Sequence, residues 1–198
     1  RGKPLNIEDY LSARMISTPL RLYDCDSHID GSTAILLSHK DLAKDLKNPP
    51  ISIEAMGMSM GAFGEGLHTG DFTMTPAEHC GTMLWNRTDM TPKDVQCAQI
   101  YDGFSVHVWL WLEAMRLCER GEAASFIAGG TRTAIDGVLP LNTSGGQLSA
   151  GRFHGFGHTH EACTQLWGRG GARQVPGVKT EMAVNGGYGY GAMMMNCD

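Results

Sequence analysis

An α/β lobe built around a mixed sheet is the fold class this sequence predicts, and three observations predict it. Short apolar runs of strand length alternate with helical patterns from residue 34 to residue 118, the arrangement of layered α/β domains. A strand-like segment, a Gly/Tyr-rich turn and a second apolar segment close the chain as a hairpin. The chain has 198 residues, 42% of them hydrophobic, which suffices to bury a core, and it contains no internal repeat.

The elements follow in order. Ile7 to Met15 is predicted helical, with Asn6 placed to cap it and Glu8 and Asp9 in the first turn, where the helix dipole favours acids. Ala34 to Ser38, an apolar run bounded by turn residues, predicts a buried strand. His39 to Leu46 predicts a helix that Asn48-Pro49-Pro50 ends. Ile51 to Met58 is the next strand. Residues 59 to 75 form a Gly-rich, His-containing loop without periodicity, long enough to be a functional or partner-facing excursion. Thr75, Pro76 and Glu78 mark the start of a helix running to Asn86. Cys97 to Tyr101 is a short strand, and Ser105 to Cys118 a helix with Val108, Trp111, Leu112 and Met115 as its apolar stripe. Beyond the small-residue loop Thr143 to Gly146, one amphipathic helix is predicted from Ser149 to Trp167. Glu181 to Val184, the turn Asn185 to Gly191 and Ala192 to Met195 form the hairpin, with Met193 to Met195 as adaptable buried filler. Five strands are expected in all.

Composition narrows the function. Charged residues are 19% and the net charge is -5, so there is no basic stripe for a phosphate backbone and nucleic acid is excluded as a partner. No apolar run reaches the roughly 18 to 20 residues of a membrane span, and no signal-peptide core follows Arg1. The six cysteines are scattered without a CxxC pair, which predicts free thiols and a cytoplasmic protein. Glycine, 26 residues, is near twice the usual frequency of about 7%, so backbone approaches something closely at several loops. The start at Arg1 suggests a piece of a longer protein.

Four stretches could carry chemistry. Tyr101-Asp102-Gly103-Phe104-Ser105 lies where a strand ends and a helix begins, the place where open α/β sheets bind ligands. Tyr101 offers a phenol that can give or take a proton, with Asp102 orienting it; alternatively Asp102 is only a helix cap and Tyr101 only fills the sheet edge. Asn142 to Gly146, followed by Gly151-Arg152-Phe153-His154-Gly155, could place amides around a developing oxyanion with His154 as acid or base; the plainer alternative is a glycine-rich loop with a surface histidine. His154 and His158 stand at i and i+4, a zinc-compatible spacing, yet no Glu lies between them as in HExxH, and no metal is expected. Asn185 to Gly191 matches a dinucleotide fingerprint in its glycines alone.

In this order the motifs resemble a known family. Asp24-Cys25-Asp26 with Asp30-Gly31-Ser32-Thr33-Ala34, then Tyr101 to Ser105, then Leu139 to Gly146 with His154-Gly155, then Gln165-Leu166 to Arg173-Gln174-Val175, and finally Asn185-Gly186-Gly187 look like the C-terminal half of the thiolase superfamily. The branch they resemble is that of the lipid-transfer, sterol-carrier-protein-type thiolases. The resemblance implies one thiolase-like C-terminal domain over residues 1–198, a mixed five-stranded sheet with helices on its faces, and an N-terminal lobe absent from this chain. Where thiolases place the histidine that activates their nucleophilic cysteine, this chain has Arg152. Their second, acid-base cysteine falls at Val184 or Asn185. Both departures point away from thiolytic chemistry.

One branch of that family performs retro-aldol cleavage of β-hydroxyacyl-CoA thioesters, including those of steroid side chains, beside a small OB-fold partner with a zinc-ribbon element. It bears a tyrosine where Tyr101 stands and a second tyrosine at the position of Arg152. By that resemblance Tyr101, His154 and Asp102 are the expected catalytic residues. Asn142, Gly145, Gly146, Arg152, Asn185 and Gly187 are expected to bind substrate or oxyanion. A coenzyme A thioester is expected as substrate with no covalently bound cofactor, and the partners expected are a second copy of the chain, the N-terminal lobe and the OB-fold protein. Two other readings stand beside this one: an acetyl-CoA acyltransferase lobe served by its missing half, and a non-catalytic scaffold that binds acyl-CoA or a partner.

Overall fold

The computed structural model describes residues 4–60, 75–186 and 189–197. Its centre is a four-stranded mixed sheet of order β3 (Ser52–Ser59), β6 (Tyr190–Asn196), β5 (Thr180–Asn185) and β4 (Cys97–Gln99). β6 runs antiparallel to both neighbours, whereas β5 and β4 are parallel. The closing hairpin thus supplies the two central strands, and a separate two-stranded ribbon, β1 (Met15–Ser17) with β2 (Leu20–Arg21), stands near the N-terminus.

Alternation along the strands puts a layer on each face. On one face Met182, Val184, Ala192 and Met194 meet α2 (Pro76–Trp85) and α3 (Ser105–Ala114) through Cys80, Leu84, Trp111, Leu112 and Met115. On the other, Ala183 and Met195 meet Ala162 and Leu166 of α6 (Phe156–Leu166). The methionine run therefore splits by parity, Met194 to one layer and Met193 and Met195 to the other. A fully buried side chain of this size contributes roughly 1.5 to 3 kcal/mol. Gly57 is what lets α2 lie so close to β3, because a Cβ there would sit 2.0 Å from the Cys80 carbonyl oxygen.

Several expectations are corrected. The sheet has four strands and not five, because Ala34 to Ser38 forms no strand. Leu36 and Leu37 are 85% and 74% exposed; apolarity marked the run for burial, but an apolar run does not specify what it packs against. The predicted first helix ends early: α1 covers Ile7–Ser12, capped by the Asn6 side chain on the Asp9 amide at 2.7 Å, and Met15 enters β1. His39 to Leu46 contains a 3₁₀ turn over Lys40–Asp45 and no α-helix. The third helix stops at Ala114, with Arg116 turning the chain at φ 56°.

The largest correction concerns residues 149 to 167. In place of one helix there are two short ones, α5 (Gly146–Ala150) and α6, separated by a bend in which Gly151, His154 and Gly155 take φ of 110°, 48° and 91°. Positive φ at three of five residues ends any helix. His154 consequently precedes α6 and shares no helical face with His158. The remaining short helix, α4, spans Ala123–Ile127.

α3 is apolar on every side but covered on only one. Trp111, Leu112 and Ala114 are buried, while Val106, Trp109 and Leu110 are exposed. All six cysteines are free, and no helix among the described residues is long and apolar enough to cross a membrane.

Candidate functional site

The site forms where β4 ends. Beyond Gln99 the chain continues through Ile100, Tyr101 and Asp102 into α3, and the loop Leu141 to Gly146 is docked beside it. Asn142 does the docking: its Oδ1 accepts from the Ile100 amide at 2.6 Å and its Nδ2 donates to the Ile100 carbonyl at 2.9 Å. That side chain is engaged with backbone in the manner of a strand partner and clamps the loop to the end of β4.

Asp102 is a cap, although not of the helix that follows it. Its Oδ1 accepts from the Gln147 amide at 2.7 Å and its Oδ2 from the Leu148 amide at 3.3 Å, which ties the end of β4 to the first turn of α5, 45 positions away. Gly146 makes the approach possible. It takes φ 60°, and a Cβ there would lie 2.0 Å from Asp102 Oδ2. Gly145, at φ 100°, donates to the Asn142 carbonyl at 2.7 Å and closes the preceding turn.

The carboxylate so fixed faces His158. Nε2 of this imidazole is 3.3 Å from Asp102 Oδ1 without hydrogen-bond alignment, and the residue is 2% exposed. Tyr101, also buried, stands edge-on to His158 at 6.4 Å between ring centroids and tilted against His107 at 5.5 Å. Burial pushes the Tyr101 phenol above its ordinary pKa, only partly offset by the Gln147 side chain beside it. Burial likewise lowers His107, against the pull of Asp102 and Asp26.

Six buried side-chain nitrogens and oxygens among the described residues lack a hydrogen-bond partner, and four of them belong here: Gln147 Nε2, His158 Nδ1 and Nε2, and Asn185 Oδ1. Leaving such a group unpaired costs about 1 to 3 kcal/mol, and folded interiors leave few of them so. Gln147 and His158 line a cleft of about 480 Å³, whose walls also include Ser144, Phe153, Glu161 and Arg173. Tyr101 stands behind this wall.

The other expected residues are distributed unevenly. Arg152 donates through Nε and Nη2 to both oxygens of the buried Asp26, and its amide donates to Ser27 at 2.9 Å. It therefore pins the N-terminal segment across the bend. Asp24 does the same one step earlier, accepting from Ser105 Oγ at 2.6 Å and from Tyr10 Oη at 2.9 Å. His154 is exposed, and its contribution is a backbone one: its amide donates to Gln147 Oε1 at 3.0 Å. Asn185 ends β5 under Gly155, where a Cβ would lie 2.5 Å from its Oδ1. Gly187 lies outside the described residues, as does most of the loop 59 to 75. No group of three His, Cys, Asp or Glu side chains among the described residues could hold a metal ion.

Sequence reasoning missed Gln147 and His158 as site members. The signal for Gln147 was its place directly after the Gly145-Gly146 pair. His158 was noticed only for a spacing that the bend removes.

Below the cleft, Glu161 forms a saturated centre. It accepts from Arg173 Nε and Nη2 at 2.9 and 3.0 Å, from Gln165 at 3.0 Å and from Thr143 at 2.7 Å. Burial alone would raise its pKa, but these bonds together outweigh it and hold the carboxylate below its ordinary range. Deeper still, Glu181 is fully buried beside Gln99 and Cys97, and burial pushes it up to about 8.

Comparison with known proteins gives this geometry a context. The profile described as thiolase C-terminal domain-like matches residues 65–196. The chain is 36% identical over 196 residues to a 17-hydroxy-3-oxo-4-pregnene-20-carboxyl-CoA lyase of Mycobacterium tuberculosis, covering 93% of this chain and 48% of the relative. It is 34% identical to a steroid side-chain-cleaving aldolase of Thermomonospora curvata, over 94% and 48% respectively. The solved Ltp2-ChsH2(DUF35) aldolase superposes with a TM-score of 0.86 at 28% identity, over 99% of this chain and 52% of that one. The chain thus spans about half the length of the relatives it matches.

Proposed function

Because this chain belongs to the thiolase C-terminal domain-like family, we propose that it is one lobe of an enzyme performing retro-aldol cleavage of a β-hydroxyacyl-CoA whose acyl part is a steroid or lipid side chain. The observation that carries the reading is the set of unpaired buried polar atoms of Gln147 and His158 in the cleft wall, with Tyr101 packed behind them. A retro-aldol step needs a base for the β-hydroxyl proton and hydrogen-bond donors for the forming thioester enolate. It needs no acyl-cysteine, and Arg152, committed to Asp26, could not activate one. The unpaired Nε2 of the Gln147 side chain and the phenol of Tyr101, whose pKa burial pushes above its ordinary value, are the donors for the enolate. The names of the two relatives, a carboxyl-CoA lyase and a side-chain-cleaving aldolase, agree with this chemistry.

The coenzyme A thioester enters as substrate. The uncovered side of α3, with Trp109 45% exposed, supports a further lobe packed on this one, and the name of the neighbouring aldolase gives two components, which supports a partner protein of that kind; a homodimer acting in the cytoplasm belongs to the same proposal. Incubating the full-length protein, with any co-encoded partner, with a β-hydroxyacyl-CoA tests the reading. Release of acetyl- or propionyl-CoA together with a ketone, without added free coenzyme A, is expected. Release that requires free coenzyme A would instead establish thiolysis.

A further inference from the structure

His158 is the ionisable side chain of the cleft wall that no structural task consumes. Glu161, one turn further along α6, and Arg173 are spent on each other. His160 is exposed. His158 is buried, lines the cleft and has neither ring nitrogen hydrogen-bonded among the described residues. Its neighbour Asp102 cannot turn to meet it, because the Gln147 and Leu148 amides hold both carboxylate oxygens. The negative charge of this carboxylate, 3.3 Å from Nε2 though not in hydrogen-bond line, favours the tautomer protonated on that nitrogen and leaves Nδ1 as the acceptor. Among the described residues Tyr101 also faces His158, edge-on at 6.4 Å between ring centroids, and His107 packs against Tyr101 at 5.5 Å.

We infer that His158, oriented by Asp102, is the base that takes the β-hydroxyl proton of the substrate and returns it to the α-carbon of the product. The inference rests on the retro-aldol reading. In the step, an imidazole nitrogen accepts the hydroxyl proton, the O–H electron pair becomes the new carbonyl bond, and the Cα–Cβ bond breaks. Its electron pair forms the thioester enolate, whose oxygen accepts from Gln147 Nε2 and from the Tyr101 phenol. The imidazolium then protonates the α-carbon, giving a carbonyl compound and a shortened acyl-CoA with no co-reactant. His158 is the catalytic residue here and Asp102 its positioning residue.

The test uses the full-length protein with its partner and a β-hydroxyacyl-CoA that the wild type cleaves. His158→Gln should lower kcat by about 10² to 10⁴-fold, and His158→Ala should regain part of the rate in proportion to added imidazole. Asp102→Asn, which keeps size and one acceptor oxygen, should lower kcat at least tenfold (about one decade) with KM unchanged. A His158→Gln protein within about threefold of wild type, an alanine variant indifferent to imidazole, or an unchanged kcat in Asp102→Asn overturns the role of His158 and leaves the retro-aldol reading standing. Should the histidine variants fail to fold, the Asp102→Asn result decides. A wild-type protein that cleaves no β-hydroxyacyl-CoA removes both.

Discussion

Two ionisable groups stand one turn apart on α6, both 2% exposed, and their surroundings are opposites. The oxygens of Glu161 receive four hydrogen bonds, whereas the ring nitrogens of His158 have none and face a carboxylate held out of line. Saturation is what a structural centre requires, since every buried polar group left open subtracts from a folding free energy of only about 5 to 15 kcal/mol. An open valence retained in the interior marks a place where stability has been given up for chemistry. The difference separates scaffold from site within a single helix, and it does so by hydrogen-bond accounting.

The comparison breaks most visibly at Tyr101. Tyr101→Phe removes one hydroxyl and keeps the ring, so folding free energy should change by about 0.5 to 1.5 kcal/mol while cleavage of a β-hydroxyacyl-CoA falls by roughly 10² to 10⁴. Steady-state kinetics beside a urea melt would show it. A variant with near-normal turnover would mean that the open valences around this phenol serve some other end.

On the saturated side the effects should fall on stability alone. Glu181, buried and pushed up to about 8 against an ordinary 4.5, makes the folded state bind more protons than the unfolded one between those values. Its contribution to stability should therefore decline as pH rises from 4.5 through 8, by up to about 1.4 kcal/mol per pH unit. His107, lowered by burial, contributes the opposite slope below its ordinary 6.5, so the difference between Glu181→Gln and wild type in urea midpoints at pH 5, 6, 7 and 8 isolates the carboxyl; a difference that does not grow in favour of the variant as pH rises would refute the buried neutral carboxyl. Glu161, held low, contributes above its unfolded value and does not add to this window. Arg173→Met strips Glu161 of its cation and should cost about 3 kcal/mol, the lower end for a broken buried pair, because Arg173 is itself 35% exposed.

Gly146→Ala joins the two centres. The new Cβ would meet Asp102 Oδ2 at 2.0 Å in a residue at φ 60°, a strain of about 1 to 3 kcal/mol. If the Asp102–His158 arrangement is the working one, this variant should also lose turnover, whereas Arg173→Met should keep it in whatever fraction stays folded.

The sheet was legible in the sequence wherever a strand found its partner within the chain: the closing hairpin, β3 and β4 all lie within two residues of their expected limits. The run Ala34 to Ser38 was not, because an apolar run announces burial without naming what it packs against. Tyr101 and Asp102 were legible from their place at the end of β4. Asp102 proved to cap a helix 45 positions downstream, a long-range bond that no local pattern encodes. His158 was hidden by the bend at residues 151 to 155, whose positive φ values put a histidine and glycines where helical spacing was assumed.

That bend sets up the smallest and sharpest contrast, between His154 and His158. The imidazole of His154 is exposed, and what the site takes from the residue is its amide, which any amino acid but proline supplies. Its φ of 48° lies in the left-handed region, which asparagine tolerates better than most residues. His154→Asn should therefore leave stability within about 0.5 kcal/mol of wild type, the range of surface substitutions. Turnover should stay within about threefold, far inside the range for loss of an acid-base group. Parallel thermal melts and cleavage assays of the asparagine variants at 154 and 158 would measure the contrast directly. A large rate loss at 154 with an intact fold would return the proton chemistry to the exposed histidine and reverse the assignment of the pair.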